Sequence, residues 1–182
     1  MPTLLKPGII KGMRFKKFTS IPFLLLSFSA NAWAAGSEVK INVTLNPAGS
    51  FVAHTTAIKG STKKVGETYT ATNIVLNLND LRTGISLRDQ HMKQKYFETS
   101  KYPQATLKQA TAKDGKFTGK LVIRNVEKDI LGEYEVEGGQ FIAKFKTNLS
   151  DFKIQSANYM GVGAEDEVEV EVSLPAKPMT AL

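Results

Sequence analysis

The alternation of apolar and polar residues is the feature that most constrains what this chain can fold into. Residues 167–174, EVEVEVSL, alternate without interruption, and residues 38–46 set Val39, Ile41 and Val43 against polar neighbours. Successive side chains of a β-strand point to opposite faces, so this pattern indicates strands with one buried face. Further segments of this kind lie at residues 51–58, 69–79, 105–111, 116–124, 129–136 and 141–148. We therefore predict an all-β fold of about eight strands.

The connections between these strands are predicted to be mostly short turns. Asp114-Gly115 and Gly138-Gly139 are signals for tight β-hairpins, and residues 61–67, STKKVGE, are predicted to be an exposed polar connection. An antiparallel sheet of about eight strands tends to curl, and closure removes its exposed edges. We predict an eight-stranded antiparallel, lipocalin-like barrel, which is either filled by its own side chains or holds one small ligand. A two-sheet sandwich is the alternative fold.

One segment, residues 81–103, departs from the strand pattern. Thr83-Gly84 indicates a turn, and Ser86 with Asp89 three residues later has the spacing of a helix capping box. Tyr102-Pro103 then returns the chain to an extended form. We predict one short helical insertion between the third and fourth strands, at one end of the barrel.

The N-terminal residues are predicted to be a secretory signal peptide. Five basic residues precede an apolar run at residues 21–30, and Ala32-Trp33-Ala34 has the small-residue pattern of a cleavage site. We expect residues 1–34 to be removed and residues 35–182 to form a single secreted domain without a membrane span. The sequence has no cysteine, which suits a periplasmic protein that folds without disulfides.

Removal of the signal peptide also changes the charge of the protein. The full chain has 24 basic and 17 acidic residues, and loss of the five basic residues leaves 19 against 17, a net charge of +2. This balance does not indicate a nucleic-acid partner. The sequence has two histidines and none of the HExxH, GxSxG, P-loop or GxGxxG motifs. We expect no catalysis, no metal site and no cofactor.

Arg88-Asp89-Gln90-His91 is the polar cluster with the most functional interest. Adjacent residues on a helix do not face each other, so Arg88 and Asp89 are expected to find separate partners. In a structural interpretation, Asp89 caps the helix and Arg88 fastens it to the barrel through Asp151 or another acid. In a functional interpretation, Arg88 or His91 meets the polar head of a ligand at the barrel mouth.

Several motifs in a fixed order resemble one family. Residues 83–92, TGISLRDQHM, are followed by Tyr96-Phe97 and Lys101-Tyr102-Pro103, and later by Ser150-Asp151-Phe152 and the run at residues 166–170. This order resembles the YceI-like family of bacterial periplasmic proteins across essentially the whole mature chain.

Three positions depart from the usual residues of that family. It usually has glycine at the place of Asn125 and a small hydroxyl residue at the place of Glu127, and it often has glycine at the place of Lys153.

The resemblance implies a barrel whose hydrophobic pore binds a polyisoprenoid, an isoprenoid quinone, a fatty-acyl lipid or a related long-chain amphiphile. We accordingly expect a periplasmic protein that carries or sequesters such a lipid. The inward apolar residues predicted to form the pore wall are Phe51, Ala53, Ile74, Leu76, Leu78, Leu121, Ile123, Phe141, Phe145, Val168, Val170 and Val172. Arg88 and His91 are the candidates for the head group at the mouth.

Two other functions stay open from the sequence. A barrel filled by its own side chains would make a ligand-free interaction or stress-protective protein. An enzyme would need His91 and Asp89 to act as acid and base in one cavity. The resemblance also makes a homodimer a plausible assembly, although the sequence does not fix it.

Overall fold

The computed structural model describes residues 36–155, 158–159 and 162–177, which form a β-barrel with a helical segment at one end. The predicted signal peptide lies outside the described residues. The strands in this part of the chain are β1 (Glu38–Asn46), β2 (Ser50–Thr55), β3 (Ile58–Lys59), β4 (Thr62–Val65), β5 (Thr68–Asn77), β6 (Gln104–Lys113), β7 (Lys116–Ile123), β8 (Val126–Glu137), β9 (Gln140–Asn148), β10 (Asn158–Tyr159) and β11 (Val162–Lys177). The helix α1 is Ser86–His91, continued by a π-helical turn at Met92–Tyr96, and 3-10 turns lie at Leu78–Asp80 and Ser150–Phe152.

Seven strands close the barrel, in the order β11-β4-β5-β6-β7-β8-β9 and back to β11. β9 pairs with β11 antiparallel over nine residue pairs, from Glu167↔Asn148 to Pro175↔Gln140. The seam between β4 and β11 is parallel and short, with Thr62 opposite Ala176. The all-β barrel is therefore confirmed, but the predicted ring of eight antiparallel strands becomes a ring of seven with one parallel seam.

The seam also corrects the prediction for residues 61–67. This lysine-rich stretch was expected to be an exposed connection, yet it contains β4, and Thr62 is buried against β11. The first hairpin, β1–β2, pairs with the earlier part of β11, through Val39↔Val172 and Ile41↔Val170. It therefore extends the sheet beside the ring instead of supplying two of its members.

The turns divide the barrel into two unlike ends. The hairpin turns β4–β5, β6–β7 and β8–β9 lie at one end, because these neighbouring strands are antiparallel. We call this the closed end. The opposite end, which we call the open end, carries the helical segment, the β7–β8 turn at Arg124-Asn125 and the segment at residues 149–155. Arg124 and Asn125 both have positive φ, 50° and 60°, as a two-residue type I′ hairpin requires.

Aromatic rings fill the closed end. Tyr134 stacks on Phe141 with ring centroids 4.8 Å apart, and Tyr69 packs against the same Phe141 ring at 5.5 Å. Phe117 and Phe145 make a further edge-to-face pair at 5.9 Å. Rings at these separations interact favourably beyond the area that they bury, so this end is a packed core.

Irregular positions in β5 and β6 keep apolar residues facing inward along both strands. In β5, Ala71 and Ile74 are both buried although they are three positions apart, and Asn73 between them has a φ of 52°. The register of β6 against β7 shifts at the neighbouring position, between Leu107 and Gln109. A bulge adds one residue and so restores the inward phase.

The polar residues that alternate with valines along β11 lie on the outer face of the strand. Glu167 pairs with Lys146 at 2.7 Å, and Glu171 lies between Lys40 and Lys144 at 3.4 and 3.5 Å. The valines between these acids point into the barrel. Among the described residues, no helix has the length and apolar character needed to cross a membrane.

Candidate functional site

The barrel interior holds a narrow apolar cavity of about 140 Å³. Its wall includes four polar residues, Thr62, Tyr69, Thr70 and Thr147, and no charged residue in the part of the chain that the structure describes. Apolar cavities of about 150 Å³ stay free of water. Ten of the predicted wall residues line this inner cavity, namely Ile74, Leu76, Leu78, Leu121, Ile123, Phe141, Phe145, Val168, Val170 and Val172.

A second, wider cavity of about 680 Å³ opens at the open end. It lies between the β1–β2 hairpin and the helical segment, and it falls within the range of roughly 300–1,000 Å³ for small-molecule sites. Phe51 and Ala53, which were predicted to share one pore wall with the other apolar residues, lie in this outer cavity. Arg88 and His91, the predicted mouth residues, line it as well, together with Gln155.

The two cavities adjoin. Ile41, Phe97, Leu149 and Val168 line both of them and form a shared wall. Phe97 follows the π-helical turn and donates its backbone N–H to the carbonyl of Met92 at 2.9 Å. An elongated molecule that occupies both cavities would therefore have to pass these four side chains.

The helical segment is held in place by Asp89. The helix begins at Ser86 with Ile85 as its N-cap, and no side chain caps it, so the predicted capping box is wrong. The Asp89 carboxylate instead accepts hydrogen bonds from the backbone N–H and the hydroxyl of Thr83, at 2.7 and 2.6 Å. It thus ties the helix to the turn that precedes it.

Those hydrogen bonds also determine how Asp89 titrates. Burial opposes ionisation of this carboxyl, but the hydrogen bonds from Thr83 and the charges of Lys93 and Arg82 outweigh it and lower the pKa of Asp89 below its usual value. The carboxylate is therefore ionised at neutral pH.

Arg88 packs the helix onto the β1–β2 hairpin. Its guanidinium lies over the Phe51 ring at 4.1 Å, and its Nε donates to the Thr83 hydroxyl at 3.0 Å. A cation over an aromatic face is attracted by the quadrupole of the ring. The suggested pairing of Arg88 with Asp151 is wrong, because Asp151 accepts from Lys128 at 3.1 Å. Arg88 has a structural role and still lines the outer cavity.

The structure does not bring Asp89 and His91 together as an acid–base pair. Residues two positions apart on a helix point in different directions. Asp89 is bound to Thr83, whereas His91 is exposed at the rim of the outer cavity.

Arg124 is an organising residue that the sequence analysis missed. Its guanidinium contacts Glu98 at 2.5 Å and also donates to the backbone carbonyl of Lys153. The ring of Tyr102 lies 5.5 Å from the same group. Arg124 thereby joins the β7–β8 turn, the helix exit and the segment after β9. The turn-forming pair Arg124-Asn125 marks a hairpin in the sequence, but nothing in that pattern indicates that the arginine contacts two distant segments.

Comparisons with known proteins agree with this architecture. A polyisoprenoid binding domain from Saccharophagus degradans, implicated in plant cell wall breakdown, has 16% identity and a TM-score of 0.57, over 79% of this chain and 97% of that one. BcnA from Burkholderia cenocepacia has 16% identity and a TM-score of 0.58, over 76% of this chain and 96% of that one. At these identities the likeness shows the fold.

The sequence comparisons supply the family. No curated protein matches the sequence significantly. The family model described as the YceI-like domain matches residues 26–176, which is most of the 182-residue chain. This protein therefore belongs to the YceI-like domain family.

Proposed function

We propose that this protein binds a long-chain amphiphile, with the tail in the inner cavity and the polar end in the outer cavity. The observation that carries the proposal is the inner cavity, whose wall is almost entirely apolar. In the described part of the chain, three threonines and one tyrosine supply its polar groups. A hydrocarbon tail matches such a wall, whereas a polar ligand would lose its hydration without gaining partners.

Family membership and one structural neighbour support the proposed class of ligand. The Saccharophagus degradans protein is a polyisoprenoid binding domain of the same fold. A polyisoprenoid, an isoprenoid quinone or a fatty-acyl lipid has a tail of the required kind. Each buried CH₂ group contributes about 0.8 kcal/mol, so a chain of moderate length would stay bound with few polar contacts.

The polar end would be oriented by the outer cavity. Among the described residues, Arg88, His91 and Gln155 are the polar side chains of its wall, apart from the phenol of Tyr96. Because the Arg88 guanidinium already contacts Thr83 and Phe51, His91 and Gln155 are the freer candidates to meet a head group. We propose binding without catalysis. This is supported by the position of Asp89, which is bound to Thr83 and does not line the outer cavity with His91.

The predicted signal peptide supports a periplasmic location, in which the protein would carry or sequester the lipid outside the inner membrane. A second candidate function, a ligand-free interaction or stress-protective protein, is favoured by the aromatic rings that fill the closed end and by the small volume of the inner cavity.

Native mass spectrometry separates the two candidates. The protein would be purified gently after expression in a bacterium, weighed intact, and then extracted with organic solvent. A stoichiometric excess mass that extracts as an isoprenoid or long-chain amphiphile is the expected result. A mass without ligand, persisting after incubation with quinones and polyprenyl lipids, would favour the filled-barrel function.

Leu78→Arg tests the position of the tail. Leu78 is buried in the inner wall, and a charge there should abolish lipid retention because a buried, unpaired charge excludes the tail. Leu131→Arg on the exposed outer face of β8 is the matched control and should retain lipid. Leu121→Trp, which adds volume to the same wall without a charge, serves if Leu78→Arg does not fold. Lipid that co-purifies with a folded Leu78→Arg protein would show that the inner-cavity assignment is wrong.

A further inference from the structure

The rim of the outer cavity exposes apolar side chains to solvent. Leu87 and Ile85 of the helical segment are 62% and 53% exposed, and Val162 at the start of β11 is 43% exposed. All three line the outer cavity. Exposed apolar groups that cluster around one opening indicate a contact surface more strongly than single ones scattered over a protein.

Basic residues accompany these apolar side chains on the helical segment. Residues 82–97 contain four basic residues and one acidic residue, a net charge of +3. Neither Lys93 nor Lys95 forms an ion pair with any residue that the structure describes. Lys95 lies 5.7 Å from the ring of Tyr96, which itself lines the outer cavity.

Three acidic residues at the open end are engaged within it, whereas Glu165 near the start of β11 is exposed and forms no ion pair with the described residues. Asp89 is bound to Thr83, Glu98 contacts Arg124 and Lys101, and Asp166 accepts hydrogen bonds from Ser150. The charge of Lys93 acts on Asp89, but no acid lies within ion-pair distance of Lys93 or Lys95 among the described residues, so both ammonium groups can meet an outside anion.

We propose that a surface formed by the rim residues Ile85, Leu87 and Val162, together with Lys93 and Lys95 of the neighbouring helical turns, docks on an anionic lipid bilayer. A surface segment with apolar side chains beside lysines inserts the former at the level of the head groups, while the lysines attract anionic lipids. The inference rests on the proposed function for its purpose: docking would place the outer cavity against the bilayer, so that a lipid tail moves between the two with little exposure to water.

The test measures binding to vesicles by co-sedimentation. Phosphatidylcholine vesicles with and without phosphatidylglycerol would be mixed with protein expressed from the full sequence, and an intact mass would establish its processed form. We expect stronger binding to the vesicles that contain phosphatidylglycerol. Each basic residue near an anionic surface contributes about a fivefold change in binding, so Lys93→Glu with Lys95→Glu should weaken it by at least about 25-fold.

Matched variants keep the charge and hydrophobicity changes but move them elsewhere. Lys113→Glu with Lys116→Glu changes the same number of charges at the closed end and should leave vesicle binding within about twofold, since electrostatic attraction fades within a Debye length. Leu87→Ser should weaken binding about tenfold through lost burial, whereas Leu131→Ser on the outer wall should not. Absence of binding to anionic vesicles, or equal loss in the closed-end variant, would overturn the proposal.

A second measurement separates this proposal from the proposed function. Binding of a fluorescent polyprenyl analogue in the absence of vesicles should be unchanged in the Lys93→Glu, Lys95→Glu protein. If the analogue binds but anionic vesicles do not, the docking surface is wrong and the lipid-binding function stands. If vesicles bind and the analogue does not, the docking surface stands and the lipid-binding function is wrong.

Discussion

At the closed end, Tyr69, Tyr134 and Phe141 pack ring against ring, while at the open end Ile85 and Leu87 extend large apolar side chains into solvent. The two ends are built on the same strands, so the difference comes from the connections. Two-residue turns bring neighbouring strands together at the closed end, and the long connection between β5 and β6 spreads over the opposite end. One end thus supplies stability, and the other has room for a ligand.

Among the variants that test this difference between the two ends, Phe141→Ala should change the free energy of unfolding most. Phe141 is 7% exposed within the aromatic cluster, and truncation of such a side chain lowers the free energy of unfolding by about 3–5 kcal/mol. Leu87→Ala at the open end should change it by less than about 0.5 kcal/mol. Urea denaturation of both variants measures the contrast. Equal losses would mean that the two ends do not differ in their contribution to stability.

Arg124→Met tests what holds the open end together. The variant keeps the aliphatic bulk but leaves Glu98 and the Lys153 carbonyl without the guanidinium. Loss of hydrogen bonds to a charged, largely buried group should cost about 2 kcal/mol in the free energy of unfolding. Lys128→Met, which breaks the exposed pair with Asp151, should cost less than about 1 kcal/mol. If Arg124→Met left the free energy of unfolding unchanged, packing alone would hold the three joined segments together.

Asp89→Asn should lower the free energy of local unfolding of the helical segment by about 1 kcal/mol. It should also remove part of the pH dependence of that free energy. The pKa of Asp89 is lower in the folded protein than its usual value of 3.8. Its contribution to stability is therefore present above that value and is lost as the pH falls through the folded-state pKa. Hydrogen exchange of residues 83–97 as a function of pH measures this, with Glu133→Gln on the outer wall as control. Acid loosening that is equal in Asp89→Asn and in the unmodified protein would contradict it.

Lys153→Gly should give the smallest effect, and in the stabilising direction. Lys153 has a φ of 58°, in the left-handed region, where a residue with a Cβ costs about 1 kcal/mol relative to glycine. Replacement should raise the free energy of unfolding by up to about that amount. Lys116→Gly, in the extended backbone of β7, should lower it by about 0.5–1 kcal/mol. A lower midpoint of thermal unfolding for Lys153→Gly would show that the lysine side chain contributes to the open end.

The barrel and most of its strands could be predicted because local patterns determine them. Alternation of β11 identified the valines that face inward, and Asp114-Gly115 and Gly138-Gly139 identified hairpins. The inward set in β5 was only partly predictable. A strict period of two assigns Ile74 and Leu76 correctly, but the bulge at Asn73 brings Ala71 into the same wall. A bulge depends on how two strands pair, so the sequence of one strand alone indicates it only weakly.

Features that depend on distant pairings escaped the sequence analysis. Residues 62–65, TKKV, have little apolar content, and their place in the ring comes from β11, over a hundred positions away. The division of the predicted wall into two cavities likewise depends on Phe97 and Leu149, which come from non-strand segments. Residues outside strands do not follow the apolar–polar alternation, so the sequence pattern does not show which way they face.

Closure of the ring by β11 determines when the barrel can form during synthesis. β11 pairs with β1, β9 and β4, whereas the pairings within the meander from β4 to β9 join sequence neighbours. Until residue 177 has been made, the meander from β4 to β9 remains an open sheet with two unpaired edges, which are prone to pair with other chains. Contacts between such distant residues also form slowly, because loop-closure entropy is lost before any pairing is gained. We therefore expect barrel formation to wait for the synthesis of β11, and agents that shield exposed strand edges to raise its yield.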